Sequence, residues 1–306
     1  MHVLMSGSSG LVGSALLSSL AGSGHTISRL LRPSSVAAAG DDSKNIIWDP
    51  AAGTVDHDAL SALECDAVVH LAGAGIADGR WSEKRKTVIR ESRVNGTRYL
   101  ATSLARLDRP PRVLVCASAI GFYGDRADEE LDEESAPGNN FLADVCRQWE
   151  QAAQPARDKG IRVVHLRLGM ILSTTGGALK KMLLPFRMGL GGIVAGGKQY
   201  WSWIDLTDAV GSIEYLLVTE SLSGPVNGVA PDAPTNAEFT KALGRVLKRP
   251  TIFPMPSLVA KLMLGEMAQE LLLASARVVP KKLTMSGYQF RYPTLEESLR
   301  HQLGRQ

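Results

Sequence analysis

The chain has 306 residues, of which 44% are hydrophobic and 21% charged, and its formal net charge is +3. This is the composition of an ordinary globular protein, long enough for one large α/β domain or for one domain and a smaller lobe. The slight charge and the absence of a long basic tract predict no nucleic-acid partner.

Compartment and membrane signals are few. The amino terminus MHVLMSGSSG has no charged region before an apolar core, so no signal peptide is expected. The apolar run at 257–273 is interrupted by Lys261, Glu266 and Glu270, which indicates a packed or partner-facing helix and not a membrane span. Three scattered cysteines suit a reducing compartment: Cys65, Cys116 and Cys146. We therefore expect a cytoplasmic protein without membrane contact, and the sequence is compatible with a homodimer.

Short apolar strands alternate with helices in the first part of the chain. Strands are predicted at 2–7, 25–32, 45–48, 65–73, 112–118 and 161–169, and helices at 11–24, 82–107 and 139–151. This alternation predicts an α/β fold, a Rossmann-type doubly wound parallel sheet with a smaller C-terminal α/β substrate lobe.

The pattern loosens after residue 170, where glycine and proline become frequent. We assign residues 1–172 to the Rossmann domain, with 204–230 adding to it. Residues 173–203 and 231–306 are assigned to the smaller lobe that holds the substrate.

The motif GSSGLVG lies between the first strand and the first helix. Gly7 allows a tight turn, Gly10 lets the backbone approach a pyrophosphate, and Gly13 allows close packing of helix and strand. The helix N-terminus then offers N–H groups to the phosphates. Glycines also serve tight packing alone, but the strand–turn–helix context favours dinucleotide binding. The predicted contacts of this turn are Gly7, Ser9, Gly10, Leu11, Val12 and Gly13.

The second strand ends in SRLLRP, with Arg32 about twenty residues beyond the turn and no acidic residue beside it. A NAD site usually has Asp or Glu here for the ribose hydroxyls, whereas a guanidinium suits the 2′-phosphate of NADP. The alternative is a solvated surface arginine. We predict NADP (NADPH) as the cofactor.

With GSSGLVG, CDAVVHLAG, VLVCASAIGFYG and SWIDLTDAV, the chain resembles the extended short-chain dehydrogenase/reductase superfamily. More narrowly it resembles its atypical "epimerase family" branch, NADP-binding proteins with a C-terminal domain of unknown function. The resemblance runs over essentially the whole chain and includes GRWSEKRK, LLPFRMGLGG and NGVAPDAPTNAEFTKALG.

The resemblance implies further site residues. Leu71, Ala72 and Gly73 end a strand and are expected to contact the cofactor through their backbone, although the first two also suit a core. Ser118 corresponds to the superfamily's substrate-orienting Ser or Thr. The backbone of Arg167 to Met170 is expected near the nicotinamide. Arg93 is expected to reach the cofactor, the alternative being a surface ion pair.

The superfamily's Tyr and Lys, four residues apart on one helix, are missing. Aligned by Glu150, the segment FLADVCRQWE places Leu142 and Cys146 at these positions, and a shift by one residue places Phe141 and Val145 there. A Lys ammonium normally lowers the pKa of the Tyr so that the phenol exchanges a proton with the substrate. Neither alignment supplies such a pair.

Replacements for this pair are few. Tyr123 and Ser118 are the candidate catalytic residues, although Tyr123 also suits a pocket wall. Cys146 has no His partner, and His70 and His165 suit a core. The acidic loop 128–135 has no His or Cys set nearby, so no metal site is predicted.

These features suggest three functions. The first is an NADP(H)-binding atypical short-chain dehydrogenase/reductase, an oxidoreductase on an unidentified small carbonyl or hydroxyl substrate, with a rearranged proton donor. The alternative is a catalytically silent NADP-binding sensor or scaffold protein. A sugar-nucleotide epimerase is least favoured, since it needs the missing Tyr and Lys.

Overall fold

The computed structural model describes residues 1–35 and 45–305, and its centre is a parallel sheet. The strands are β1 His2–Ser6, β2 Thr26–Leu31, β3 Asn45–Asp49, β4 Thr54–Val55, β5 Ala67–His70, β6 Val113–Ala119, β7 Glu130–Leu131, β8 Arg162–Leu168, β9 Met170–Leu172, β10 Trp203–Asp205, β11 Gly224–Gly228 and β12 Arg277–Val278. Eight of the described strands form one sheet in the order β11-β8-β6-β5-β1-β2-β3-β4, in which only β4 runs antiparallel to its neighbour. The predicted Rossmann-type fold is confirmed.

Helices cover both faces of this sheet. They are α1 Leu11–Gly22, α2 His57–Ala62, α3 Glu83–Ala105, α4 Phe141–Gln151, α5 Gln154–Asp158, α6 Gly177–Arg187, α7 Leu206–Val218, α8 Asn236–Leu247, α9 Ser257–Leu264, α10 Glu266–Ala268, α11 Lys281–Met285 and α12 Leu295–Gln302. A single π-helical turn, Gln269–Leu273, follows α10. Within the described ranges, each helix is too short or too polar to cross a bilayer.

The strands are buried on both sides, which explains their continuous apolar runs. On one face Leu16 of α1 and Ile213 of α7 join the core, and on the other Leu100 and Leu104 of α3 do so. Because β1, β5, β6 and β8 are parallel, their carboxyl ends meet at one edge. Ligands of open α/β sheets bind at this edge.

A second core lies beside this edge. Trp203 and Phe239 are its largest fully buried side chains, and α6, α8 and α12 surround them. The last part of the chain returns to the first domain, since β12 pairs with β7 and Leu283 of α11 packs in the core under the sheet. The domain boundaries proposed from the sequence stay a prediction.

Candidate functional site

The glycine turn after β1 has no room for a side chain at Gly7 or Gly13. Gly7 has φ +71°, and a Cβ on it would lie 2.6 Å from the carbonyl carbon of Leu71. A Cβ on Gly13 would lie 2.1 Å from the Gly7 carbonyl oxygen. Gly10 is the N-cap of α1 and offers no side-chain cap, so the first N–H groups of the helix are left for a ligand. This cradle fits a pyrophosphate.

The other predicted residues of this turn differ in exposure. Ser9 is exposed, Leu11 is half-buried, and Val12 is buried in the core under the sheet. Leu11 also lies against the residues that open α6, because a Cβ on Gly176 would come within 3.2 Å of its Cδ1. The first residue of α1 therefore lies against the segment that opens α6.

Arg32 follows β2 at the same edge of the sheet and is exposed. Its side chain makes no ion pair with a carboxylate in the described parts of the chain. A guanidinium in this position has the charge and the reach to bind a 2′-phosphate.

Arg93 of α3 lies under the loop that follows β5. Its guanidinium donates to the carbonyl oxygens of Ala74 at 2.9 Å and Ile89 at 3.1 Å and lies over the Trp149 ring. Burial lowers the pKa of Arg93, and no described carboxylate pairs with it. Among the described residues, Arg93 does not form the surface ion pair considered as an alternative. The guanidinium lies about 3.5 Å from where a Cβ of Gly73 would be, beside the predicted cofactor backbone.

Leu71 and Ala72 contribute to the core as well as to this edge. The Leu71 N–H donates to the Ser6 carbonyl at 3.2 Å, and the two side chains pack against the cores on opposite faces of the sheet. Met170, the first residue of β9, donates its N–H to the carbonyl oxygen of Ser202 at 3.0 Å. That N–H is thus already paired.

Ser118, at the end of β6, belongs to a buried polar network. Its Oγ donates to Glu150 Oε1 at 2.8 Å. The same carboxylate accepts from Arg167 Nε at 2.8 Å and Nη2 at 2.9 Å. Burial alone would raise the pKa of Glu150, but the hydrogen bonds and charge of Arg167 outweigh it, so this pKa is lowered. Glu150 is therefore a poor base at neutral pH.

Tyr123 forms the other end of this network. Its hydroxyl donates to Asn227 Oδ1 at 2.7 Å and accepts from Arg167 Nη1 at 3.0 Å, and its side chain is fully buried. Burial raises the pKa of Tyr123 to about 12, although Arg167 opposes the rise. The phenol is thus held in the interior, with both hydrogen-bonding roles in use.

Helix α4 carries the two positions that the sequence alignment matched to the superfamily's Tyr and Lys. Leu142 and Cys146 are buried, and the Cys146 thiol lies 3.7 Å from the Ala119 carbonyl. Burial raises the pKa of Cys146 to about 12, so this thiol is not a nucleophile at neutral pH.

A carboxylate from the C-terminal part of the chain reaches the first turn of α4. Glu270, in the π-helical turn, accepts a hydrogen bond from the Leu142 N–H at 3.2 Å and is only half-buried. Burial raises the pKa of Glu270, against the effect of the α4 N–H groups. Glu266 also raises this pKa, whereas Lys86 lowers it. Sequence reasoning assigned Glu270 only to a broken apolar helix.

The two histidines have structural roles. His70 Nδ1 lies 2.6 Å from Ser6 Oγ and its Nε2 lies 3.0 Å from Thr97 Oγ1, and burial lowers its pKa to about 4. His165 is buried beside Arg157. In residues 1–35 and 45–305 no group of three or more His, Cys, Asp or Glu side chains is placed to hold a metal ion.

The sequence missed the partners in the network. In the sequence analysis, Glu150 was used only to align the helix with the superfamily, and Arg167 was noted only as the start of a segment near the nicotinamide. An arginine inside the apolar strand RVVHLRL is a signal for a buried acidic partner, because an unpaired buried charge is costly. No sequence spacing links it to Glu150 or Asn227.

The chain is similar to known proteins over nearly its whole length. The chain is 41% identical over 297 residues to the epimerase family protein Mb2239 of Mycobacterium bovis, covering 97% of this chain and 96% of the relative. It is 34% identical over 306 residues to the human epimerase family protein SDR39U1, covering 98% and 99%. The crystal structure of human SDR39U1 (isoform 2) with NADPH superposes with a TM-score of 0.88 at 32% identity, over 100% of both chains.

Two family models match the chain. Residues 255–302 match a domain of unknown function, DUF1731. Residues 3–226 match the model described as the NAD dependent epimerase/dehydratase family. The predicted resemblance is thereby confirmed: the chain belongs to the NAD dependent epimerase/dehydratase family, as an atypical short-chain dehydrogenase/reductase with a DUF1731 domain at its C-terminal side.

Proposed function

We propose that this chain is an NADP(H)-dependent oxidoreductase acting on a small carbonyl or hydroxyl substrate, with Glu270 in place of the missing tyrosine as the proton donor. The proposal depends on one observation: the half-buried Glu270 carboxylate lies against the backbone of Leu142, the position that the sequence alignment matches to the superfamily's tyrosine. Side chains in a helix tilt toward its N-terminus, so a tyrosine at 142 would point toward this same carboxylate.

The residues at the sheet edge suit NADPH. The glycine turn would hold the pyrophosphate, Arg32 the 2′-phosphate, and Arg93 would add positive charge beside the backbone of Leu71 to Gly73. The human relative crystallised with NADPH supports this choice of cofactor. Bound NADPH supplies the hydride.

The chain itself has to orient the substrate and supply a proton. Ser118 is held by Glu150 and Arg167 at the end of β6, which leaves its oxygen lone pairs for a substrate hydroxyl. A protonated Glu270 gives its proton to the carbonyl oxygen as the hydride reaches the carbon, and the carboxylate is then reprotonated from solvent. The raised pKa of Glu270 favours this acid role.

Tyr123 takes a different part in this scheme. Since its hydroxyl is buried between Asn227 and Arg167, we propose that it positions Arg167 and does not exchange protons with the substrate. The catalytic role considered for it from the sequence remains untested.

A silent NADP-binding protein is the second candidate, favoured by the apolar Leu142 and Cys146 on α4. The test combines two measurements on the same sample. NADPH is expected to raise the melting temperature of the chain, and a panel of aldehydes, ketones and quinones is expected to include one that consumes NADPH, followed by its absorbance. A rise in melting temperature without consumption of any of them would favour the silent protein, and no rise would overturn both.

A further inference from the structure

The exposed hydrophobic residues gather on one side of the C-terminal lobe. Of the fifteen large hydrophobic side chains exposed in the described residues, ten lie in three segments, 184–190, 252–255 and 258–263. The most exposed are Leu258 at 77%, Leu262 at 74% and Ile252 at 72%. We call the surface formed by these three segments the apolar face. Contiguous exposed apolar surfaces of this kind mark interaction sites.

The three segments are neighbours in space. The Met255 N–H donates to the Ile193 carbonyl at 2.8 Å, and the Ala195 N–H donates to the Met255 carbonyl at 2.8 Å. A Cβ on Gly189 would lie 3.6 Å from Pro250. Helix α9 begins two residues after Met255, and its Leu258 and Leu262 are four residues apart, which puts them on one side of the helix.

The charged residues within the stretches that build the apolar face are all basic. The sequence contains no Asp or Glu from 159 to 204 or from 239 to 265, the two stretches that build this surface. Exposed cations border it: Arg187, Lys248, Arg249 and Lys261. None of these four forms an ion pair with a described residue. The nearby Arg245 does pair, with Glu296 of α12.

We propose that the apolar face docks onto the surface of an anionic lipid bilayer, with Leu258, Leu262 and Ile252 entering the interface and the cations meeting lipid headgroups. A basic rim around exposed aliphatic side chains is the pattern of proteins that lie on such membranes. A second copy of this chain is a poor occupant, because its own Lys248 and Arg249 would face the same cations.

The side chains also favour lipid over a protein partner. Protein interfaces concentrate much of their binding energy in Trp and Tyr, whereas the exposed hydrophobic residues of the apolar face are Leu, Met, Ile and Val with one Phe, Phe253. The proposal replaces our sequence-based expectation of no membrane contact. That expectation relied on the charges that interrupt the run 257–273, and a helix that lies on a bilayer does not need an unbroken apolar stretch.

Vesicle flotation of the full chain tests the proposal. We expect binding to phosphatidylcholine vesicles that contain roughly one third phosphatidylglycerol, weakening as salt is added, and little binding to phosphatidylcholine alone. Leu258→Asp combined with Leu262→Asp is expected to lower binding at least about tenfold. Lys248→Gln with Arg249→Gln is expected to lower it about 25-fold, roughly fivefold for each cation.

Met285→Asp is the matched control, since Met285 is 79% exposed on α11 outside the apolar face, and it is expected to bind as the wild type does. An unchanged rise in melting temperature with NADPH shows that each variant is folded. The proposal is overturned if the wild type does not bind anionic vesicles, or if it binds both vesicle types equally. It is also overturned if the wild type sediments as a dimer that the Leu258→Asp and Leu262→Asp pair dissociates, because a second copy then covers the face.

Discussion

Arg167 and Glu150 form a two-pronged ion pair beneath the carboxyl edge of the sheet, with Nε to Oε1 at 2.8 Å and Nη2 to Oε2 at 2.9 Å. The side chains are only 3% and 12% exposed. The pair fixes the position of Ser118 on one side and of Tyr123 on the other. The ion pair thereby joins β8 to α4 directly under the proposed substrate site.

Glu150→Gln is expected to destabilise the protein by about 3 kcal/mol or more at neutral pH, because it leaves the Arg167 charge buried without a partner. Glu129→Gln is the matched control, since Glu129 pairs with Arg126 near the surface and its loss is expected to cost less than about 1 kcal/mol. Urea unfolding of the two variants measures the difference. Equal stabilities would contradict a buried, mutually dependent pair.

The same pair predicts a pH dependence. The folded-state pKa of Glu150 is lowered, so its contribution to stability is present above its unfolded pKa of about 4.3 and is lost as the pH falls through the folded value. The wild type is therefore expected to lose more stability than Glu150→Gln between neutral pH and acid. If the wild type and Glu150→Gln lost equal free energy of unfolding as the pH falls, other carboxylates would be responsible for the acid sensitivity.

Gly13→Ala is expected to weaken NADPH binding more than about tenfold and to cost about 1–3 kcal/mol, because its Cβ would meet the Gly7 carbonyl at 2.1 Å. Gly22→Ala, in the same helix with nothing within 4 Å of the new Cβ, is expected to leave binding intact and to add up to about 1 kcal/mol of stability. Calorimetric titration and thermal unfolding report both effects. Normal NADPH affinity in Gly13→Ala would show that this glycine turn does not bind the phosphates of NADPH.

Arg32→Ala is expected to raise the Kd for NADPH by about tenfold to a hundredfold, the loss of charge-assisted bonds to one phosphate, without changing the Kd for NADH. Arg109→Ala is a suitable control, since Arg109 is a surface residue paired with Glu64. Unchanged discrimination between the two cofactors in Arg32→Ala would show that Arg32 is only a solvated arginine.

The proposed location of Glu270 beside the nicotinamide is tested through the ratio of the NADP⁺ and NADPH affinities. This measurement requires no substrate. If Glu270 lies beside the nicotinamide, ionisation of its carboxyl favours the positively charged ring, so NADP⁺ is expected to gain about fivefold over NADPH as the pH rises through the Glu270 pKa. Glu270→Gln, which keeps an acceptor for the Leu142 N–H, is expected to abolish this gain.

Glu266→Gln serves as the control for Glu270: it is expected to keep the gain, but at a lower pH, because Glu266 raises the pKa of Glu270. A ratio that stays constant with pH in the wild type, or that changes equally in Glu270→Gln, would exclude Glu270 from the site. Failure to bind NADPH at all would instead count against the proposed function as a whole.

The sequence alone determined the parts of this protein that depend on local pattern. Apolar runs alternating with helices predicted the parallel sheet, and GSSGLVG predicted a turn whose glycines at 7 and 13 indeed have no space for a Cβ. The sequence also predicts the loss of the Tyr–Lys pair, because the alignment places Leu142 and Cys146 four residues apart on one helix face, and this remains a prediction.

Tertiary structure decided the rest, because the partners are far apart in the chain. Glu150 lies 17 residues from Arg167, and Asn227 lies 104 residues from Tyr123. Glu270 reaches Leu142 across 128 residues, from a segment that the sequence showed only as a broken apolar helix. Sequence periodicity reports which side of an element is buried, but only the packing of the C-terminal part against α4 brings the Glu270 carboxylate to the backbone of Leu142.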